Sequence, residues 1–255
     1  MSVRLAWLTD LHLDFLTPAE QVNFHARVRA AGADALLVGG DISHALRVTR
    51  DLMRLQQAVE KPVYFVLGNH DYYGGSIAKV RAAVSRLCSE HQELRWLPEL
   101  GVVALSASTA LIGHDGWGDA RIGAVDHAVV LNDEYHIDEL KVADRFLLQT
   151  KLRALGEQAA AHIRLVLTEA VAQYREILLL THVPPFREAC WHNGATSGEE
   201  WLPRFTCAAV GEVVREIMSS HPDRDLTVYC GHSHGEGYVE VLPNLRVWTG
   251  GAEYG

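Results

Sequence analysis

The sequence predicts an α/β fold in which helices pack over buried strands. Short runs rich in Val, Leu and Ile recur along the chain, and longer stretches with a helical pattern separate most of them. This alternation is typical of sheets covered by helices, either as an open α/β sheet or as a layered α/β sandwich. The 255 residues contain no linker, repeat or low-complexity segment. We therefore expect a single domain over residues 1–255.

The individual elements follow from local patterns. Strands are predicted at VRLAWL (3–8), ALLVG (35–39), VYFVL (63–67), VVALSAS (102–108), ILLL (177–180) and LTVYC (226–230), with a terminal hairpin that turns at Pro243–Asn244. The first helix is the best marked, because Thr17 can cap it, Pro18 suits its first position and Glu20 completes a capping box. Gly32 would end this helix. Further helices are expected near residues 45–60, 76–91, 138–176 (continuous or broken near Gly156) and 199–219.

One segment does not follow the alternation. Residues 113–137 have poor periodicity and many polar groups. Neither the period of a helix nor that of a strand fits this stretch. We predict a loop insertion at about 113–137.

The composition excludes several classes of partner. The formal net charge is −9, and a surface that holds a nucleic-acid polymer or an anionic membrane needs clustered Lys and Arg. The four cysteines form no C-x-x-C pair, which indicates reduced thiols. The N-terminal residues reach Asp10 before an apolar signal region could form, and no apolar run approaches the ~18 residues that cross a bilayer. We expect a cytoplasmic protein with no membrane association.

Potential metal ligands stand at the ends of five predicted strands. They are Asp10 and His12, Asp41, Asn69 with His70 and Asp71, His182, and His232 with His234. The carboxyl ends of strands form the ligand crevice of open α/β sheets, so these side chains should converge in space. Imidazole and carboxylate without thiolate suit Mn, Fe, Zn, Co or Ni. Seven such ligands exceed the need of one ion with open positions, which implies two ions about 3.5–4 Å apart.

These motifs resemble those of a known family. Asp10-x-His12, Gly40-Asp41, Gly68-Asn69-His70-Asp71, His182 and Gly231-His232-Ser233-His234 are similar, in order and separation, to the motifs of the calcineurin-like metallophosphoesterases. The resemblance spans nearly the whole chain, from Asp10 to His234. It implies a four-layer α/β/β/α sandwich with two facing mixed β-sheets and a site at the strand ends.

The resemblance also implies a role for each residue. The first metal would be held by Asp10, His12 and His234, the second by Asn69, His182 and His232, and Asp41 would bridge them. A hydroxide between the metals would attack phosphorus, opposite the leaving oxygen. His70 would act as proton donor or transition-state stabiliser, and Asp71 would orient it and keep it protonated.

Differences from the motifs of other branches of the family reduce the number of candidate substrate classes. Protein phosphatases carry Arg near the bridging Asp and directly before Gly-Asn-His, where this chain has GDISHA and Leu67. Lipid A pathway diphosphatases usually have Arg where His70 stands, and DNA-processing members add a domain and a basic surface. The chain most resembles small bacterial phosphodiesterases, including those that act on cyclic nucleotides. A phosphomonoesterase or protein phosphatase, and a catalytically silent metal-binding scaffold, are the alternatives.

Loops around the metals should contact the substrate, a small phosphoester. The segment after His182 offers Arg187, His192 and Asn193, the insertion offers His114, Asp115, Trp117, Asp119 and Arg121, and Trp117, Trp191 or Tyr73 could stack on a base. Arg187 or Arg121 could pair with a phosphate bidentately. The terminal hairpin could join a homodimer.

Overall fold

The computed structural model describes residues 3–253 and contains two main β-sheets. The first has the order β1-β2-β3-β4, with strands β1 (Leu5–Leu8), β2 (Ala35–Gly39), β3 (Val63–Val66) and β4 (Leu94–Trp96). The second has the order β11-β12-β10-β7-β6-β5, with strands β5 (Val103–Ala104), β6 (Thr109–His114), β7 (Glu176–Thr181), β10 (Asp225–Cys230), β11 (Gly237–Leu242) and β12 (Leu245–Thr249). A small hairpin joins β8 (Trp191–His192) to β9 (Ala195–Thr196).

Five long helices cover the outer faces of these sheets. Helices α1 (Pro18–Ala30), α2 (Val48–Val59) and α3 (Ile77–Glu90) pack on the four-stranded sheet, while α5 (Arg145–Gln173) and α7 (Ala208–Ser219) pack on the six-stranded sheet. Two short helices, α4 (Asp133–His136) and α6 (Leu202–Phe205), lie in connecting segments. Within residues 3–253, no helix has both the length and the apolar character needed to cross a membrane.

Three hydrophobic clusters show that the molecule has four layers. Alternate residues of a strand point to opposite faces of its sheet. Along β2, Leu36 and Val38 belong to the cluster under α1–α3, whereas Ala35 and Leu37 face the other sheet. Leu180 of β7 meets this inner layer, and a third cluster lies between the six-stranded sheet and its helices. The predicted α/β/β/α sandwich is confirmed.

The two sheets differ in strand direction. Every described pair of the four-stranded sheet is parallel. The six-stranded sheet is mixed, because its edge strands β11 and β5 are antiparallel to their neighbours. The expectation of mixed sheets therefore holds for the larger sheet, and the smaller one is built from parallel crossovers alone.

Local signals place several helix ends as predicted. Thr17 caps α1, since its side chain accepts from Glu20 N and its own N–H donates to the Glu20 carboxylate at 2.8 Å. Gly32 follows with φ +63°, in the left-handed region that favours glycine. The terminal hairpin turns at residues 243–244 as expected.

Helix α5 is continuous through Gly156, where a Cβ would overlap the side chain of Asp119. This glycine therefore allows a close approach and does not break the helix.

Two local predictions were wrong. VVALSAS forms a strand only at residues 103–104, because the chain turns through Ser106, whose hydroxyl accepts from the N–H groups of Ser108 and Thr109. The segment predicted as a loop insertion at about 113–137 overlaps the last two residues of β6, which runs to His114, and it contains the short helix α4. The helix expected over 199–219 is two helices, α6 and α7.

Candidate metal centre

The seven side chains predicted as metal ligands lie together at the carboxyl ends of strands from both sheets. Asp10, Asp41 and Asn69 follow β1, β2 and β3, while His182 follows β7 and the His232/His234 pair follows β10. Ligand atoms of Asp10, His12, Asp41 and His234 all lie within 4.8 Å of one another, and so do those of Asp41, His182 and His232. Asp41 belongs to both groups. The arrangement therefore offers two adjacent places for a cation that share one carboxylate.

The first group consists of lone-pair donors at short range. His12 Nε2 lies 3.3 Å from His234 Nε2 and 3.9 Å from Asp41 Oδ2. His234 Nε2 lies 3.4 Å from Asp10 Oδ1. Asp10 also accepts the N–H of His232 at 3.0 Å, which holds its carboxylate in place. Two imidazoles and two carboxylates at these distances match the ligand chemistry of a borderline divalent metal ion.

The second group brings three acceptor atoms face to face. His182 Nδ1 lies 2.8 Å from the carbonyl oxygen of Gly39, so this nitrogen must carry the proton. In the neutral ring, Nε2 then presents a lone pair, and it faces Asn69 Oδ1 at 3.1 Å and Asp41 Oδ1 at 3.4 Å. The amide end of Asn69 is fixed too, because Nδ2 donates to Asp133 at 2.8 Å. Three atoms that can each offer a lone pair, at these distances, fit a bound cation.

A hydrogen bond to a backbone carbonyl also fixes the orientation of His232. Its Nε2 lies 3.1 Å from the carbonyl oxygen of Arg204, so Nε2 donates and Nδ1 keeps the lone pair. Its ring also stacks on Phe205, with centroids 4.5 Å apart. A ligand histidine whose other nitrogen is engaged by a carbonyl is held in one tautomer.

The backbone at the site is unusual. Eight described non-glycine residues have φ between 42° and 68°, and five of them are Asp10, His12, Asp41, His232 and His234. The left-handed region costs an L-residue roughly 1 kcal/mol or more, and such strain concentrates at functional sites. The turns at these strand ends therefore aim the side chains inward, with the surrounding fold supplying the stabilisation.

Glycines allow the loops to approach closely. A Cβ at Gly68 would overlap the carboxylate of Asp41 and lie 2.7 Å from His182 Cε1. Gly40 has φ +94°, and a Cβ there would lie 2.7 Å from Gly68 N. A Cβ at Gly231 would overlap the Asp10 carboxylate. The Gly-Asp, Gly-Asn-His and Gly-His motifs thus contain glycine because the ligand loops touch.

Burial controls the protonation of the site. It lowers the pKa of His12 to about 4 and that of His232 well below its usual range. Burial and the charge of Asp10 raise the pKa of Asp41. Burial would raise the pKa of Asp10 as well, but the imidazoles of His234 and His182 lower it below its usual range. Neutral imidazoles and an anion are the forms that bind metal ions.

His70 lies beside this cluster at the cavity wall. Its ring is 4.6 Å from that of His12 and stacks on Tyr73 at 4.3 Å. The backbone N–H of His70 donates to Asp41 Oδ1 at 2.9 Å. Burial and the neighbouring imidazoles of His12 and His182 lower the pKa of His70 to about 3. A lowered pKa favours the neutral ring over the protonated ring expected from the sequence, and the neutral ring can act as a hydrogen-bond donor.

Asp71 does not serve His70 as expected. Its Oδ1 accepts the N–H groups of Ile42 and Ser43, both at 2.9 Å, and its Oδ2 accepts that of Gly68 at 2.9 Å. The carboxylate is fully buried between two ligand loops. Asp71 thus ties the loop after Asp41 to the loop that carries Asn69, and this tie replaces the predicted contact with the His70 ring.

A cavity of about 530 Å³ opens beside the ligands. Its described lining comprises Asp41, Asn69, His70, Tyr73, Leu131, Asn132, His192, Asn193, Ala195, Thr196, Ser197, Gly198, Trp201, Phe205, His232, Ser233 and His234. Of the predicted substrate contacts, His192 and Asn193 are therefore placed at the cavity. Both belong to the β8–β9 hairpin, which forms part of its wall.

The two predicted arginines lie elsewhere. Arg187 pairs with Glu199 at 3.1 Å, and Arg121 pairs with Glu157 at 2.7 Å. Neither belongs to the cavity lining. The other insertion residues proposed as contacts, namely His114, Asp115, Trp117 and Asp119, are buried in the fold. These assignments from sequence were wrong, because a charged or aromatic residue in an irregular segment carries no signal of the direction in which it points.

Among the site residues that sequence reasoning missed is a buried carboxylate, Asp133. Asp133 begins α4 within the insertion, is buried, and accepts from both Asn69 and Tyr73. The sequence around it, LNDEYH, has no periodicity that would place its carboxylate beside a strand end 64 residues away. The single available signal was an acidic residue in a segment next to the proposed site.

Comparison with known proteins agrees with this arrangement. The family model described as calcineurin-like phosphoesterase matches residues 3–236. The chain belongs to the calcineurin-like phosphoesterase family, whose members are metal-dependent hydrolases of phosphoesters. A search of the curated proteins found no match.

Solved structures share the fold at low sequence identity. Phosphopantetheinyl hydrolase from Mycobacterium tuberculosis is similar with a TM-score of 0.66 and 16% identity, over 97% of this chain and 89% of that one. A dimetal phosphatase from Danio rerio gives 0.60 and 16%, over 98% and 87%. The protein TT1561 of Thermus thermophilus gives 0.56 and 18%, over 98% and 90%. At these identities the likeness shows a common fold.

Proposed function

We propose that this protein hydrolyses small phosphodiesters with two metal ions held by the seven converging side chains. The observation that supports this most is the meeting of potential ligand atoms around Asp41, where His182 Nε2 lies 3.1 Å from Asn69 Oδ1 and 3.4 Å from Asp41 Oδ1. Asp10, His12 and His234 would hold one ion, Asn69, His182 and His232 the other, and Asp41 would bridge both. The donor set suits Mn, Fe, Zn, Co or Ni.

The chemistry divides between the ions and the chain. Two cations held there would supply Lewis acidity to phosphoryl oxygens and would lower the pKa of a water molecule that could serve as nucleophile. The neutral ring of His70, at the cavity wall, donates a hydrogen bond to an oxygen of the substrate phosphate or of the leaving group. Tyr73 restricts the plane of that ring by stacking on it. His192 and Asn193 contact the remainder of the substrate.

The charge of the cavity favours a diester over a monoester. Among the described residues that line it there is no Lys or Arg. A monoester dianion carries a second negative charge that protein sites commonly pair with Arg, whereas a diester carries one charge, which the cations can balance. The aromatic side chains Tyr73, Trp201 and Phe205 also line the cavity and suit an organic group on the far side of the phosphate.

The alternative is a phosphomonoesterase. The solved relatives include one named a phosphopantetheinyl hydrolase and one named a dimetal phosphatase, so the fold alone is compatible with either activity. The absence of a cationic side chain from the described cavity lining is the observation that favours the diester.

Hydrolysis of bis-p-nitrophenyl phosphate beside p-nitrophenyl phosphate tests the proposal. Protein stripped of metal is reloaded with Mn, Fe, Zn, Co or Ni in separate reactions. We expect diester cleavage that requires metal and falls at least a hundredfold in Asp41→Asn, because the shared carboxylate is then lost. His70→Ala should lower kcat more than KM. A preference for the monoester would assign the protein as a phosphatase, and tight metal binding without turnover of either ester would contradict the enzymatic proposal.

A further inference from the structure

The insertion contributes a buried carboxylate to the candidate metal centre. Asp133 Oδ1 accepts Asn69 Nδ2 at 2.8 Å and the Tyr73 hydroxyl at 2.6 Å. Asp133 is 6% exposed, and it is the first residue of α4. One oxygen atom of the insertion thus engages both a candidate ligand and the ring that stacks on His70.

We infer that Asp133 is a positioning residue that selects which end of the Asn69 amide faces the second metal. This inference rests on the proposed function. An asparagine amide has two ends of nearly equal size and opposite hydrogen-bonding character. Only the oxygen can bind a cation. Because Asp133 accepts from Nδ2, it holds Oδ1 towards His182 and Asp41, as a carboxylate behind a ligand histidine fixes the ring of that histidine.

The neighbouring residue on α4 supports a role for this helix at the second metal. Glu134 accepts from Arg204 Nη2 at 2.9 Å and from Arg204 Nε at 3.2 Å. The carbonyl oxygen of Arg204 in turn accepts from His232 Nε2 at 3.1 Å. Two consecutive residues of α4 are thus connected to ligands of the second metal. Asp133 contacts Asn69 directly, and Glu134 is connected to His232 through Arg204. Of the ligands of the first metal, Asp10 and His12 follow β1, whereas His234 shares the loop after β10 with His232.

The effect of Asp133 should therefore be confined to one ion. Without the acceptor, the Asn69 amide can rotate and present Nδ2 to the cation, which repels it. Loss of a residue that orients a metal ligand typically weakens metal binding 10–100-fold. The first metal, held by Asp10, His12 and His234 with Asp41, should keep its affinity.

Calorimetric titration of the metal-stripped protein with Mn²⁺ tests this inference, together with the electron paramagnetic resonance signal of the loaded protein. Unmodified protein should bind two Mn²⁺ and give the signal of an exchange-coupled pair. Asp133→Ala should retain one tight site, bind the second ion at least tenfold more weakly, and show the signal of isolated Mn²⁺ at the same loading. Activity is not needed for either readout.

Two further variants separate positioning from general stability. Asp133→Asn keeps an oxygen that can accept from Asn69, so it should remain within threefold of the unmodified second-site affinity. Tyr73→Phe keeps the Asp133–Asn69 bond and the stacking on His70, and it should also stay within threefold. Thermal unfolding in EDTA reports any structural loss in each variant.

The outcomes distinguish the inference from the proposed function. If the unmodified protein fails to bind two Mn²⁺, the dinuclear proposal is wrong. If it binds two and Asp133→Ala binds both equally well, or loses both sites equally, the positioning role is overturned while the dinuclear site stands. Equal weakening by Asp133→Asn and Asp133→Ala would also overturn it, since the conservative variant retains the acceptor.

Discussion

The Asp115 carboxylate accepts four hydrogen bonds near the ligand loops, and its removal should have a large and calculable effect. Its Oδ1 accepts the N–H of Leu67 at 2.8 Å and the indole N–H of Trp96 at 3.1 Å. Its Oδ2 accepts the Tyr72 hydroxyl at 3.0 Å and Arg81 Nη2 at 3.1 Å. The carboxylate is 1% exposed. It links the end of β6 to β4, to α3 and to the loop before Gly68.

Asp115→Asn preserves the shape of the side chain and removes its charge. The retained oxygen can still accept from Leu67 and Trp96, whereas the new amide nitrogen faces the Arg81 guanidinium. Breaking one partner of a buried ion pair costs about 3–5 kcal/mol, and because Arg81 is partly exposed and two bonds survive we expect about 3 kcal/mol. For a chain of this length that corresponds to a Tm lower by roughly 6–12 °C.

The difference in Tm between Asp115→Asn and the unmodified protein should depend on pH. Burial would raise the pKa of Asp115, but Arg81 and His114 lower it below its usual range. A carboxyl whose pKa is lower in the folded state stabilises the fold above its unfolded pKa of about 3.9, and this contribution is lost as the pH falls towards the folded value. The gap in Tm between the two proteins should therefore be constant from about pH 8 to 5 and narrow below about pH 4.

Circular dichroism melts in EDTA measure this gap without a contribution from bound metal. Asp138→Asn is the matched control, since its carboxylate pairs with Lys141 at 2.9 Å on the exposed surface and should change stability by no more than about 0.5 kcal/mol. A loss of less than about 1 kcal/mol for Asp115→Asn, or a gap that stays the same at every pH, would refute the reasoning from the buried network.

Two further predictions concern the site. Gly68→Ala should weaken Mn²⁺ binding at least tenfold in a calorimetric titration, because the added methyl group overlaps the Asp41 carboxylate; Gly101→Ala, at a left-handed glycine with open space around it, should leave the affinity unchanged, and equal effects would contradict the steric argument. Arg187→Ala and Arg121→Ala should each change KM for bis-p-nitrophenyl phosphate by less than about twofold, since both side chains are engaged in ion pairs outside the cavity. A tenfold rise in KM for either would place that arginine at the substrate.

The sequence predicted most of the fold where a single physical rule dominates. Buried strands such as ALLVG and ILLL are apolar throughout, and Thr17, Pro18 and Glu20 mark a helix start through local contacts alone. Strand β6 was missed because its first residue, Thr109, follows two serines that read as part of the preceding strand. The three-residue β4 was missed as well, because LRW is too short for its alternation to be recognised.

At the site, too, some residues could be predicted from the sequence and others could not. The convergence of Asp10, Asp41 and His182 followed from their places at strand ends, since parallel strands meet at one edge of a sheet. Asp71 was misassigned because its partners are backbone N–H groups, which every residue possesses and no motif reveals. Asp133 is brought to the site by an irregular segment, whose path depends on packing that sequence periodicity does not encode.

Each of the two ligand groups contains residues from both sheets. Asp41 extends from the four-stranded sheet and the His182/His232 pair from the six-stranded one, while His234 joins Asp10 and His12 across the same gap. A cation bound there would connect the four-stranded sheet to the six-stranded sheet. Metal binding and the packing of the two sheets against each other would therefore be thermodynamically coupled. Each tenfold rise in free metal above Kd would then add about 1.4 kcal/mol per bound ion to the stability of the whole fold. We therefore expect a substitution at Leu37 or Leu180, in the apolar layer between the sheets, to change metal affinity from a distance.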